Sequence, residues 1–334
     1  MTLALNRSRY LAAIIMGPAG MDLYPLPDGS ETEQAATFAA EIGGSAGNIA
    51  VALARQGLRA ALLSAFSDDA VGRFVRGHLT RFGVDVSRCR SIPGSFRTSL
   101  ALCETRHPDS ETVFYRNEAV DLELAPGDFD ARFISIASML IVTGTALARE
   151  PSREAALQAL EMARAGGTFS ILDIDHRPVS WRSQDEAQRV YADAAGRADA
   201  VIGNDDEFAI IAGANGEALA AAAGFVAKGA AFAILKRGSL GSTTITRDGV
   251  IEKGVFDVKV IKPFGAGDAF LGNLAAMLVA GAGLEQAVER ASAAAAYVVA
   301  RRGCAFAMPD RVELDHFVQS HAMTREANHA HSPL

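Results

Sequence analysis

Short apolar runs alternate with longer amphipathic stretches along most of this chain, and that rhythm leaves few folds open. Tyr10–Met16, Ala60–Phe66, Met139–Thr143, Phe169–Asp173, Ala200–Ile202 and Ala231–Lys236 read as strands buried on both faces. Gly47–Gln56, Ala70–Phe82, Ser152–Ala165, Asp185–Gly196, Glu217–Lys228, Gly267–Ala280 and Leu284–Arg301 read as helices. A fully apolar strand followed by a crossover helix belongs to a parallel sheet covered on both sides. The pattern therefore predicts an α/β fold with a mainly parallel central sheet between helical layers. Ligands of such sheets bind beyond the carboxyl ends of the strands. Gly17–Asp22, Asp173–Arg177, Asn204 and Lys236–Gly241 each follow an apolar run directly, so they are expected to converge on one edge.

Two stretches break the rhythm. Residues 22–42 and 96–121 lack helical periodicity, and Thr98–Cys103 and Thr112–Arg116 alternate like strands. Long non-helical insertions at a ligand edge predict a small β lid. An edge hairpin extending the main sheet is the alternative. The expected organisation is a single domain over residues 10–320 with a polar, frayed tail over 321–334. A net charge of −7 argues against nucleic acid or an anionic membrane as a partner, though not against a small anion. No apolar run reaches the ~20 residues needed to span a bilayer. Cys89, Cys103 and Cys304 are scattered, without a C-x-x-C pair, and no secretory signal precedes the first strand. A reducing cytoplasm is the expected location.

Four segments carry chemistry. Gly265-Ala266-Gly267-Asp268 opens a long apolar helix. The glycines permit a tight turn, and the unpaired N–H groups of a first helical turn grip an anion. Asp268 beside that anion is suited to take a proton from an attacking hydroxyl; otherwise it is ordinary first-turn acidity. Gly43-Gly44 with Asn48 begins another helix, where backbone N–H groups and an amide can face a small ligand. Asn204-Asp205-Asp206-Glu207 follows a strand. It reads either as charge complementing a helix N-terminus or as Asn204 and Glu207 holding Mg²⁺ through water. Lys236, Gly238 and Gly241 form a strand exit that suits a nucleotide-covering loop or, equally, a tight turn. Arg116 and Arg177 are cations able to take a carboxylate in two parallel hydrogen bonds. Their plain alternative is pairing with nearby acids, Asp121 and Asp175.

In this order, the segments resemble those of the phosphofructokinase-B, or ribokinase-like, carbohydrate kinases, over about Tyr10 to Phe317. Gly17-x-x-x-x-Asp22 is similar to the family's substrate motif, Gly43-Gly44…Asn48 to its N-terminal signature, Asn204-x-x-Glu207 to its Mg²⁺/phosphate motif and Gly265–Asp268 to its C-terminal signature. The resemblance implies a ribokinase-like three-layer α/β/α sandwich, ATP and Mg²⁺ as cofactors, and a homodimer joined through the lid. Met21–Pro25, Phe114–Asn117, Asp173–Trp181 and Pro263–Gly265 resemble a narrower branch. That branch serves bacterial myo-inositol catabolism by phosphorylating the 6-hydroxyl of a sugar acid, 5-dehydro-2-deoxy-D-gluconate. The resemblance assigns Asp22, Gly43, Gly44 and Asn48 to substrate hydroxyls and Arg116 and Arg177 to the carboxylate. Lys236, Gly238 and Gly241 fall to the nucleotide. Kinases of 2-keto-3-deoxygluconate, nucleoside kinases and a non-catalytic sugar-binding regulator are the competing readings. Lys262 departs from the family pattern: ribokinases often carry there an aspartate that helps bind a monovalent cation.

Overall fold

The expected strands assemble into one eight-stranded sheet. A computed structural model of the chain describes residues 1–213 and 216–324. The strand order is Gly249–Lys253, Ser242–Thr246, Phe232–Lys236, Ala200–Asn204, Phe169–Asp173, Ala137–Thr143, Leu11–Met16 and Ala60–Leu63. The last six are mutually parallel, and the first two close one edge as an antiparallel hairpin. Side chains alternate across the sheet: Ala13 and Ile15 enter one core, Ile14 and Met16 the other. The six parallel strands are buried on both faces along nearly all their length, which is why their runs read as continuously apolar.

Helices Ser45–Arg55, Ala266–Ala280 and Leu284–Val299 cover one face; Ser152–Gly166, Gln184–Arg197 and Ala218–Ala227 cover the other. Ser45–Arg55 and Ala266–Ala280 approach unusually closely. A β-carbon at Gly272 would collide with Ala52 Cβ, so glycine there sets the separation of the two helices. Their N-termini consequently lie side by side at the carboxyl edge of the sheet.

The non-helical stretches build a separate four-stranded sheet, ordered Thr37–Gly43, Gly20–Leu26, Leu100–Cys103, Thr112–Tyr115. They do not extend the main sheet as a hairpin. The Ala60–Phe66 run, expected as one strand, is two: it breaks after Leu63, and Ala65–Ser67 pairs with Arg90–Ile92. Asp205–Ala212 is the helix expected to open at Asn204, whereas the short, polar helix Arg311–Ser320 was not separated by periodicity. Order also runs past Ser320: Thr324 N donates to Val255 O at 2.8 Å, and Met323 bridges Phe256. The rest of the tail lies outside the described residues. Among those residues, no helix is long and apolar enough to cross a membrane, and all three cysteines are buried and free.

Candidate active site

A cavity opens where the two helix N-termini meet the small sheet. Asp22, Gly44, Asn48, Arg116, Arg177, Gly265 and Asp268 line it together. Of the four strand-end segments expected to converge, two line the cavity, through Asp22 and Arg177; Asn204 and Lys236–Gly241 do not. Gly43 backs the Asp22 carboxyl. Ala266 and Gly267 form the first turn of the helix that Gly265 caps, with Gly265 at φ 83°, a left-handed conformation that glycine adopts without strain. Lys236 reaches this turn from its strand end: its Nζ stands 3.3 Å from where a Gly267 β-carbon would be. The Gly238–Leu240 turn and Gly241 lie beyond Lys236 and outside the cavity wall.

Asp268 is the centre of the polar network. Asn48 Nδ2 donates to Asp268 Oδ2 at 2.8 Å, while Asn48 Oδ1 is buried without a partner among the described residues. A buried, unpaired acceptor beside a carboxylate is an open place for a ligand hydroxyl. Burial, and then the Asp175 charge, push Asp268 up to about 6; the Asn48 bond, Arg177 and Lys236 pull the other way. Burial likewise raises Asp22 to about 7, against a hydrogen bond from Tyr24 Oη and with Asp268 and Glu41 adding to the rise. Lys236 Nζ pairs with Asp173 at 3.2 Å. Burial pulls that ammonium down, but Asp173, Glu207 and Asp268 raise it further, so it stays charged.

The arginines carry both of their expected relationships at once. They line the cavity, and each also holds its acid. Arg116 Nη2 donates to Asp121 Oδ2 and its Nη1 to Ser99 Oγ, both at 2.8 Å, leaving Nε buried and unpaired among the described residues. Arg177 Nη2 sits 2.8 Å from Asp175 Oδ1. The Phe114 ring, on the edge strand of the small sheet, lies 6.0 Å from the Arg177 guanidinium.

Asp175 is the site residue that residue-by-residue reading undervalued. It accepts from Ser45 Oγ at 2.6 Å and Thr145 Oγ1 at 3.3 Å, and sits at φ 34°, a strained value for a non-glycine residue. Its signal was the second acid of Asp173-Ile174-Asp175, immediately after a strand. Cys103, Phe264 and Cys304 supply an apolar wall.

Asn204 and Glu207 stand apart from the cavity wall as a reciprocal cap. Asn204 Oδ1 accepts from Glu207 N, and Glu207 Oε2 from Asn204 N, both at 2.8 Å; Glu207 Oε1 accepts from His176 N at 3.0 Å. Both carboxylate oxygens are therefore engaged, and among the described residues no group of three or more His, Cys, Asp or Glu is arranged for a metal. Such a pair fits a hydrated ion reached through water, not a direct protein cage.

A helix N-terminus with a carboxylate in its first turn, a lysine over the same turn and an adjoining cavity are an arrangement suited to phosphoryl transfer. Residues 13–311 match the pfkB family carbohydrate kinases, and the chain belongs to that family: it is an enzyme that phosphorylates a sugar hydroxyl. It is 41% identical to a 5-dehydro-2-deoxygluconokinase of Photobacterium profundum, over 95% of this chain and 98% of that one. A Bacillus subtilis protein of the same name is 32% identical over 96% of this chain and 99% of its own. Among solved structures, a Vibrio cholerae fructokinase with fructose, ADP and calcium bound superposes at a TM-score of 0.79 and 26% identity, over 92% of this chain and 99% of that one.

Proposed function

We propose that the chain transfers the γ-phosphoryl group of ATP to the 6-hydroxyl of 5-dehydro-2-deoxy-D-gluconate. The observation that carries this reading is the sharing of one cavity by Asp268 and two guanidinium groups. A substrate that carries both a hydroxyl and a carboxylate suits such a cavity. The relatives' names point to the same acid.

In this reading Asn48 Oδ1 and Asp22 orient the sugar hydroxyls, and Asp268 takes the proton of the 6-hydroxyl as its oxygen forms a bond to the γ-phosphorus. The bond from that phosphorus to the bridging oxygen breaks, and ADP leaves. The amides of the Gly265–Gly267 turn and the Lys236 ammonium stabilise charge on the transferred group. Mg²⁺, when bound, neutralises phosphate charge; Asn204 and Glu207 would hold it through water. Arg116 and Arg177 fix the carboxylate, sharing their donors with Asp121 and Asp175. A small β lid is the role that suits the four-stranded sheet, which brings Arg116 over the cavity.

An ATP-coupled assay across 5-dehydro-2-deoxygluconate, 2-keto-3-deoxygluconate, fructose, ribose and adenosine tests this. The first is expected to give the highest kcat/KM. Faster turnover of fructose, ribose or adenosine would sink the sugar-acid assignment, and binding without turnover of any would favour a regulator.

A further inference from the structure

Lys262 has no part in the chemistry above, yet it is 0% exposed and among the largest fully buried side chains of the protein. Lysine is almost never fully buried unless paired, because an ammonium stripped of water is costly. Lys262 makes no ion pair among the described residues. Its Nζ donates to the Phe264 carbonyl at 2.7 Å, lies 4.0 Å from Cys304 Sγ and stands 5.2 Å from the Phe264 ring centroid. A carbonyl, a sulfur and an aromatic face surround one positive charge, with the cavity carboxylate Asp22 and Glu41 near enough to feel it.

The carbonyl it grips belongs to the same peptide group as the Gly265 N–H. That peptide is trans, so its C=O and N–H point in opposite directions. Drawing the carbonyl inward to Lys262 turns the N–H the other way, and Gly265 lines the cavity. Hydrogen bonding at the carbonyl also polarises the N–H, making it a stronger donor. The rest of the segment is fixed: Ile261 N and Lys262 N both donate to Val299 O, and Cys304 Sγ and Val298 press against Gly265.

We propose that Lys262 is a positioning residue: an internal, covalently attached cation that holds the Phe264–Gly265 peptide so that its N–H faces the transferring phosphoryl group. It does from within what a bound monovalent cation would do from solution. The inference rests on the phosphoryl-transfer reading.

The decisive variant is Lys262→Met, which keeps the chain volume and removes the charge. It is expected to fold, since methionine keeps the packed volume and removes the desolvation cost of an ammonium that has no ion pair among the described residues. Its kcat is expected to fall ~10-fold or more, because the donor is misdirected rather than deleted and full deletion of such a donor costs ~10²–10³. KM for the sugar acid and sugar affinity by calorimetry are expected to change little. In Lys262→Ala, methylammonium or K⁺ is expected to restore much of the lost rate, and methanol none. Wild-type turnover is expected to stay level when K⁺ replaces an inert organic cation. A folded Lys262→Met with wild-type kcat overturns the proposal, as does a rate loss that appears equally in KM, or a large K⁺ activation of the wild type. If Lys262→Ala does not fold, Lys262→Met alone decides. Failure of the wild type to phosphorylate any sugar acid would instead remove the reading underneath, a distinguishable result.

Discussion

The two ends of the cavity are held by different physics. At the phosphoryl end every group rides on the packed frame: Asp268 and Asn48 sit on two helices locked together at Gly272 and Ala52, and Lys236 ends a central strand. At the acid end Arg116 follows the edge strand of the small sheet, whose Val113, Phe114 and Tyr115 are 36, 47 and 55% exposed, and Arg177 leaves a strand through a strained Asp175. Asp268 and Asn48 cannot shift without opening the core, whereas Arg116 is kept in shape by its ion pair with Asp121; Arg177, at the exit of a central strand and near enough to Asp268 to feel its charge, joins the two. In the proposed reading chemistry is built into the frame, and Arg116 adds selectivity from an attached sheet.

The strongest way to break that contrast is at Asp268. Asp268→Asn keeps the shape and the Asn48 contact but removes the base. Steady-state kinetics is expected to show kcat lowered more than ~10²-fold, the lower end for a general base, with sugar affinity little changed. Near-wild-type turnover would mean that the frame end does not carry the chemistry.

At the other end, Arg177→Ala is the sharper probe of the two arginines. Arg177 is 41% exposed at its side chain, and Asp175, which its loss deprives of a partner, keeps the hydroxyls of Ser45 and Thr145, whereas Arg116 and Asp121 are 11% and 2% exposed. Removing Arg116 leaves a buried carboxylate unpaired, a loss of ~3–5 kcal/mol that would confound the kinetics. Arg177→Ala is expected to raise KM for the sugar acid by roughly 10-fold or more, in line with ~1.5–3 kcal/mol for a charged hydrogen bond, and to affect fructose much less. Equal losses on both substrates would erase the division between the ends.

Most of the frame end was legible in the sequence because it depends on local rules. Apolar runs followed by helices fix the sheet, and Gly-Ala-Gly-Asp opens a helix whatever surrounds it. What was illegible is relational. Whether Arg116 meets Asp121, a ligand or both depends on how the small sheet folds back, and no periodicity encodes that. Asp175 looked like one acid among several until Ser45 and Thr145, 130 and 30 residues away, were seen to hold it. Lys262 stood out in the sequence as a departure from the family pattern, but its complete burial did not, because burial of a charged residue runs against compositional expectation. The Asn204–Glu207 pair shows the converse: a spacing chosen for metal chemistry is also that of a capping box.

The smallest expected effect concerns pH and stability, and it too separates the ends. Asp268 must be ionised to act, and its carboxyl is raised to about 6. kcat/KM is therefore expected to climb with pH through about 6 and level off above it. The same shift has a stability consequence of fixed sign. Between the ordinary carboxylate value, 3.8, and about 6, the folded protein binds more protons at this site than the unfolded chain does. Stability contributed by this group thus falls as pH rises through that window, and the whole cost is present at neutrality. Asp268→Asn removes the cost, so the nearly inactive variant is expected to melt higher than wild type at pH 7.5 and equally at pH 4. The size is on the order of 1 kcal/mol, below the full value of the shift because the carboxyl opens on the water of the cavity. Differential scanning calorimetry at the two pH values checks it. Arg177→Ala is expected to show no such gain, since it deprives Asp175 of its partner. A lower melting temperature for Asp268→Asn at neutral pH would show that the carboxylate serves the fold, and that the frame end holds its catalytic charge without strain.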